Sequence, residues 1–226
     1  MKVLVVAAHP DDEILGCGGA MARHVREGDE VHVMIMAEGL TSRSDFDAAS
    51  GHDELAELAR VAQAANSRLG VMEVSLHGFP DNRMDSVDRL DVTKVIEEKI
   101  ASFAPALVYT HHAGDMNIDH RVIHDAVNTA CRSTPGNPVR TLLYFEVPSS
   151  TEWQIPGSAP VFAPTWFVDI STTLDAKLAA LHEYEMEMRD WPHPRSYKAV
   201  EHLARWRGAT IGTDAAESFV LGRMVR

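Results

Sequence analysis

A chain of 226 residues with 45% hydrophobic content can build one α/β domain with a substantial core, and a single domain spanning 1–226 is expected. Its 21 basic residues against 33 acidic ones give a net charge of −12, which argues against nucleic acid or an anionic membrane as the main partner. No basic n-region with an apolar h-region opens the chain, no stretch approaches the ~20 apolar residues of a membrane span, and two distant cysteines, Cys17 and Cys131, suggest neither a disulfide framework nor a CxxC zinc site, so a cytoplasmic address is expected.

In chain order, Lys2–Ala7 is a short β-branched run of the kind found in a buried parallel strand. His9-Pro10-Asp11-Asp12-Glu13 follows, opening a helical pattern through Ile14, Leu15, Met21 and Val25 that stops at Gly28. Proline in a first turn and acidic residues at a helix start suit that reading. A second strand is expected over Val31–Met36, then a long polar loop from Glu38 to His52, a helix over Asp53–Leu69 and a third strand over Val71–Leu76. The loop Gly78–Asp85 leads to a helix over Val92–Phe103, a fourth strand over Leu107–Thr110, a polar loop and a helix over Asp119–Arg132. Strands follow over Leu142–Val147 and Trp166–Ile170, helical patterns over Leu174–Met188 and Tyr197–Trp206, and a last strand-like run over Glu217–Met224. Repeated strand–helix alternation with short links predicts βαβ units: a Rossmann-like α/β fold, mainly parallel, with helices on both faces. Ligands in such sheets bind beyond the carboxyl ends of the strands, where both His9–Glu13 and His111–His120 fall.

The chemistry concentrates there. His9 and Asp12, three positions apart across a strand-to-helix turn, can bind one ion from two sides, and zinc accepts both donor types. A third ligand should come from a neighbouring strand end, and His120 is well placed for it. Asp119 beside it could orient a ring nitrogen or a neighbouring group. Successive side chains diverge, so Asp11 is free to face a metal-activated water as general base. The structural alternative is an Asp pair capping a helix and a histidine satisfied at a strand end.

Ala8-His9-Pro10-Asp11-Asp12-Glu13, followed by Gly16-Cys17-Gly18-Gly19, resembles the opening signature of the PIG-L/LmbE-like deacetylases, and Asp115-Met116-Asn117-Ile118-Asp119-His120-Arg121 is similar to their second motif. The Phe79-Pro80-Asp81-Asn82 and His193-Pro194-Arg195-Ser196 segments also look familiar. The resemblance implies a zinc-dependent N-deacetylase of N-acetylglucosamine-containing substrates, with zinc on His9, Asp12 and His120 and with Asp11 as base. It also implies a homo-oligomer, since similar proteins often form trimers or hexamers. Fe(II) or another divalent ion suits the same donors. One departure matters: several branches carry a histidine where this chain has Asn117. An amide can donate to an oxyanion but cannot cycle a proton near neutrality, so the assisting role is vacant or filled elsewhere. His193 is a candidate for it, or else a surface-loop residue between two prolines. His111 and His112 could line the pocket or be polar loop residues.

For substrate contacts, Asp81 could accept hydrogen bonds from sugar hydroxyls, and Arg43 and Arg83 could hold a phosphate or carboxylate or remain solvated. Trp166, Trp191 and Trp206 could stack on a sugar, with a core role the more common use of tryptophan. Three other readings compete. Gly16-Cys17-Gly18-Gly19 evokes a nucleotide-binding or redox loop, but these glycines arrive a turn into the helix, beside acidic groups that would repel a pyrophosphate. The same site could be an amidase for a thiol conjugate or natural-product intermediate, since zinc and a base do not select the acyl or amine partner. A sugar-binding protein without turnover would have no need of Asp11.

Overall fold

The structure, a computed structural model, describes residues 1–37, 39 and 51–226. Its strands are β1 (Lys2–Ala7), β2 (Glu30–Ala37), β3 (Glu73–Phe79), β4 (Leu107–His111), β5 (Thr141–Phe145), β6 (Trp166–Asp169) and β7 (Ala216–Met224). The helices are α1 (Asp12–Arg26), α2 (Gly51–Leu69), α3 (Arg89–Phe103), α4 (Ile118–Ala130), α5 (Leu174–Leu181) and α6 (Tyr197–Ala209). All seven strands form one sheet, ordered β3-β2-β1-β4-β5-β7-β6. The first five are parallel, and β7 runs antiparallel to both β5 and β6. The chain is therefore a mixed α/β fold built on a Rossmann-like parallel half, with a C-terminal antiparallel extension.

Strand alternation feeds two cores. Val3 and Val5 of β1 point to the side covered by α1, α2 and α5, where they join Ile14, Met21, Ala65 and Leu181. Leu4 and Val6 point to the opposite side, meeting Val92, Ile96, Ile123 and Val127 of α3 and α4. A strand buried on both faces has to be apolar at every position, which is why β1 reads as an unbroken run rather than an alternating one. The glycines after the first motif serve packing: a Cβ at Gly16 would sit 2.4 Å from the Phe145 ring, and one at Gly19 would sit 2.7 Å from Ile170. Only a bare backbone lets α1 approach the sheet this closely.

Four sequence expectations need correction. The helical pattern after the first motif is interrupted at Cys17 (φ −149°, ψ 21°), where α1 kinks. The Glu217 carboxylate accepts from the amides of Gly19 (2.9 Å) and Ala20 (2.7 Å), so two orphan donors of the restarted helix are satisfied. Lys177 Nζ, 2.6 Å from Glu217, neutralises that buried charge. The helix expected over Leu174–Met188 ends at Leu181 and continues as turns. β3 lies at Glu73–Phe79, a few residues later than Val71–Leu76. Finally, of the three tryptophans weighed for a core role, Trp191 and Trp206 are half or more exposed, and Trp166 packs half-buried against the core. Of the loop read over 38–52, residues 51 and 52 already belong to α2, while 38 and 40–50, with the Arg43 candidate, lie outside the described residues.

β1 and β4 are neighbours, and from them the strand order runs outward in opposite directions. This switch point leaves a crevice beyond their carboxyl ends. Residues 8–12 and 111–120 flank it.

Candidate metal centre and cavity

The turn leaving β1 is strained. Asp11 adopts φ 106° and ψ −30°, a conformation that costs a non-glycine residue on the order of 1–3 kcal/mol and needs surrounding support. Support comes from Glu13, which is fully buried. Its carboxylate accepts from the Asp11 amide (3.1 Å), Asn66 Nδ2 of α2 (2.8 Å) and the Tyr184 hydroxyl (2.7 Å). Burial pushes the Glu13 carboxyl up to about 7, against the pull of Tyr184 and Asn66. The strained turn sends the two aspartates apart, Asp12 towards the histidines and Asp11 towards Arg195.

Three donor atoms converge at the crevice. His9 Nδ1 lies 3.2 Å from Asp12 Oδ2, His120 Nε2 lies 3.1 Å from the same oxygen, and the two ring nitrogens are 3.4 Å apart. Ligand atoms of a tetrahedral ion bound at about 2.0–2.1 Å stand about 3.3–3.4 Å from one another, so this triangle matches one face of such a site. Among the described residues, His9, Asp12 and His120 form a group that could hold a metal ion.

The far side of each ring is braced. His9 Nε2 faces Asp119 Oδ2 at 3.0 Å and Asp81 Oδ1 at 3.2 Å. Asp119, fully buried, also accepts from the amides of Asn82 (2.6 Å) and Met84 (2.9 Å), tying the loop after β3 to the centre. His120 Nδ1 lies 3.1 Å from Asp115 Oδ1. Asp115 in turn accepts from the hydroxyls of Ser150 and Thr151 and the Asn117 amide. Carboxylates placed this way fix the tautomer and orientation of ligating imidazoles. His111 stacks on His120 (centroids 3.9 Å apart, 22° between planes) and accepts from the Ala8 amide through Nε2 at 2.7 Å. An accepting Nε2 requires a neutral ring, and burial with His120 nearby pushes His111 well down. Burial lowers His120 too, but Asp12 and Asp115 outweigh it and raise His120 to about 9. Asp12 moves the opposite way: burial would raise it, yet His120 and His9 hold it well below the carboxylate range.

A cavity of about 240 Å³ opens beside the triangle. His9, Asp11, Asp12, Asp81, Asn82, Asn117 and His120 line it from the parallel half of the sheet, and Ser149, Ser150, Glu187, Arg189 and Arg195 from the C-terminal segments. Asp11 is buried and accepts from Arg195 Nη1 at 3.1 Å, while Arg195 Nε donates to Ser149 Oγ at 2.9 Å. Burial pushes the Asp11 carboxyl well up, Arg195 pulls it down, and Asp12, Glu187 and Glu13 add to the rise.

The sequence candidates separate here. His9, Asp11, Asp12, His120, Asp81 and Asn117 meet at the cavity. Asn117 caps α4, its Oδ1 accepting from the Asp119 amide (2.8 Å) and its Nδ2 donating to Asn82 Oδ1 (2.9 Å). Asp119 stands behind His9, 3.0 Å from its Nε2, and does not line the cavity. His193 is also displaced: its Nδ1 accepts from the Arg195 amide (3.1 Å) and its ring packs edge-on against Trp153. It is Arg195, two residues on, that enters the cavity. Arg83 is exposed away from the cavity, and His111 and His112 lie behind its wall. Sequence reasoning passed over Arg195, Asp115 and the Ser149–Ser150 pair. Asp115 opens the second motif and Arg195 sits in the His-Pro-Arg-Ser segment, so for these two a signal was present.

Fold and centre together define an α/β protein with a His₂Asp donor triangle at the switch point of its sheet. Residues 4–131 match the family model PIG-L, described as GlcNAc-PI de-N-acetylase, and the chain belongs to that family. Among relatives, it is 28% identical over 189 residues to the uncharacterized deacetylase YaiS of Escherichia coli, covering 81% of this chain and 90% of that one. It is 29% identical over 199 residues to the diacetylchitobiose deacetylase of Thermococcus kodakarensis, covering 82% and 70% respectively. In fold it resembles the N,N'-diacetylchitobiose deacetylase of Pyrococcus horikoshii, with a TM-score of 0.79 at 20% identity over 98% of this chain and 84% of that one. Among the described residues no helix is long and apolar enough to cross a membrane.

Proposed function

We propose that this chain is a zinc-dependent hydrolase, one domain over 1–226, that removes the acetyl group from the amide nitrogen of an N-acetylglucosamine-type amino sugar or its conjugate. The observation that carries this reading is the His9–Asp12–His120 triangle with the buried Asp11 carboxylate on the same cavity wall. The chemistry supplied by a bound divalent cation is Lewis acidity, which polarises an amide carbonyl and eases deprotonation of water. Asp11 takes the proton of the attacking water and returns it to the departing amine. Burial lifts the carboxyl towards the working pH, where a general base both accepts and releases a proton well. Arg195 holds that carboxylate in one orientation. Asn117 gives one N–H to Asn82, and its second N–H is the donor we assign to the acetyl oxygen. Asp81, Asp115 and Asp119 keep the ligand rings in register. Two buried, unpaired cysteines fit a reducing cytoplasm.

Acetate release across a panel of N-acetylated sugars tests the proposal. Release should stop with a chelator and return with added zinc; zinc-loaded protein that releases acetate from none of the panel overturns the reading. Metal analysis of protein purified without added metal separates zinc from Fe(II).

A further inference from the structure

The outer wall of the cavity carries two arginines in different electrostatic situations. Arg195 is neutralised: its Nη1 lies 3.1 Å from Asp11 and 3.9 Å from Glu187. Arg189 also lines the cavity, but among the described residues it makes no ion pair. Instead, its Nη1 donates to the carbonyls of Met186 (2.8 Å) and Met188 (2.9 Å), and its amide donates to the Arg195 carbonyl (3.0 Å). Main-chain acceptors thus fix one corner of the guanidinium and leave Nε and Nη2 without a protein partner among the described residues. Arg189 is exposed at the cavity rim; holding a long, flexible side chain there has an entropic cost, and no carboxylate among the described residues repays it.

The surroundings sharpen the point. Asp11, Asp12, Asp81 and Glu187 line the same cavity, in a chain whose net charge is −12. An anion approaching such a wall is repelled unless a fixed cation meets it. A guanidinium edge with two donors matches two oxygens of a phosphate or carboxylate. We propose that Arg189 forms an anion subsite, and that the substrate is an N-acetylated amino sugar carrying a phosphate or carboxylate on a neighbouring position. This rests on the deacetylase reading and narrows its substrate class.

The test compares zinc-loaded wild type with Arg189→Gln and Arg189→Lys on three probes: N-acetylglucosamine, N-acetylglucosamine 1-phosphate and the carboxymethyl glycoside of N-acetylglucosamine. Wild type should prefer at least one anionic probe in kcat/KM, and which one it prefers names the anion. Arg189→Gln should lower the ratio of anionic to neutral kcat/KM by about 10- to 100-fold, mainly through KM, with Arg189→Lys falling between. Added salt should erode the wild-type preference and leave the Arg189→Gln ratio flat. No anionic preference in wild type, or a ratio that survives Arg189→Gln, overturns the subsite. Should no probe be turned over, the deacetylase reading fails instead. Calorimetric binding of the same probes then decides the subsite: a charge-dependent affinity lost in Arg189→Gln upholds it, and equal affinities refute it.

Discussion

The cavity has two walls built on different principles. The wall from β1 and β4 stands on the parallel half of the sheet, and its groups are buried and doubly tied: Asp119 receives two amides and a ring, and Asp115 two hydroxyls and a ring. The opposite wall, from 147–154 and 187–195, hangs on turns beside the antiparallel extension and carries Ser149, Glu187, Arg189 and Arg195. On the proposed reading, the first wall grips the ion and the second selects and orients what meets it. Small errors of position are costly at a metal centre, which suits a rigid sheet edge, whereas specificity can sit on adjustable loops.

The largest expected effects fall on the first wall. His120→Ala removes one corner of the triangle, and we expect metal content near zero with activity reduced about a thousandfold or more. Full zinc occupancy in that variant would remove His120 from the ligand set. Asp11→Asn belongs to both walls, being the group that Arg195 touches. It should retain zinc and lose about 10²–10⁴ in kcat; near-wild-type turnover would show that the base is elsewhere.

A paired comparison then sets the walls against each other. Asp119→Asn weakens the brace behind His9 and should reduce metal affinity by about 10–100-fold, with activity recovered in excess zinc. Arg195→Lys should keep metal affinity and lower kcat by about tenfold, because an ammonium cannot hold Asp11 and Ser149 together as the guanidinium does. If the two variants show the same zinc dependence, the division between the walls is wrong.

The first wall should also be the pH-sensitive one. His120 is raised to about 9 from its ordinary 6.5. A raised histidine stabilises the fold fully below pH 6.5, and that contribution disappears as pH rises through 9. Metal-free protein should therefore lose stability across this window. Zinc needs His120 unprotonated, so the gain in Tm on adding zinc should grow over the same range. Thermal melts with and without zinc between pH 6 and 9.5 check both trends, and a zinc gain that shrinks with pH would contradict the ligand assignment.

How much of this was legible in the sequence follows the same division. The parallel half could be read because each signal is local: an apolar run for β1, acidic and proline residues opening α1, and a motif whose donors lie three residues apart. The rest depends on contacts between distant segments. The break at Cys17 is supported by Glu217, which lies some 200 positions later and pairs with Lys177. Arg195 reaches Asp11 across 184 positions. Periodicity carries no record of such partnerships, so the C-terminal histidine drew attention that belongs to its neighbour Arg195. Half-exposed tryptophans escaped for a similar reason, because composition marks a residue as apolar without saying which surface covers it.

The smallest expected effect concerns Asn117, where the family pattern and this chain part. Its Oδ1 caps α4 and its Nδ2 holds Asn82, so Asn117→Ala removes a cap and a loop tie together. Loss of an N-cap costs about 1 kcal/mol, or roughly 2–4 °C in Tm for a chain of this size. If the amide also donates to the developing oxyanion, kcat falls by about tenfold beyond what the lost stability explains. Asn117→Asp separates the roles: the carboxylate keeps the cap but can donate neither to Asn82 nor to an oxyanion, so Tm should fall less than in Asn117→Ala while kcat falls as far. A stable Asn117→Asp variant with unchanged kcat would confine Asn117 to its helix, leaving the acetyl oxygen to other donors.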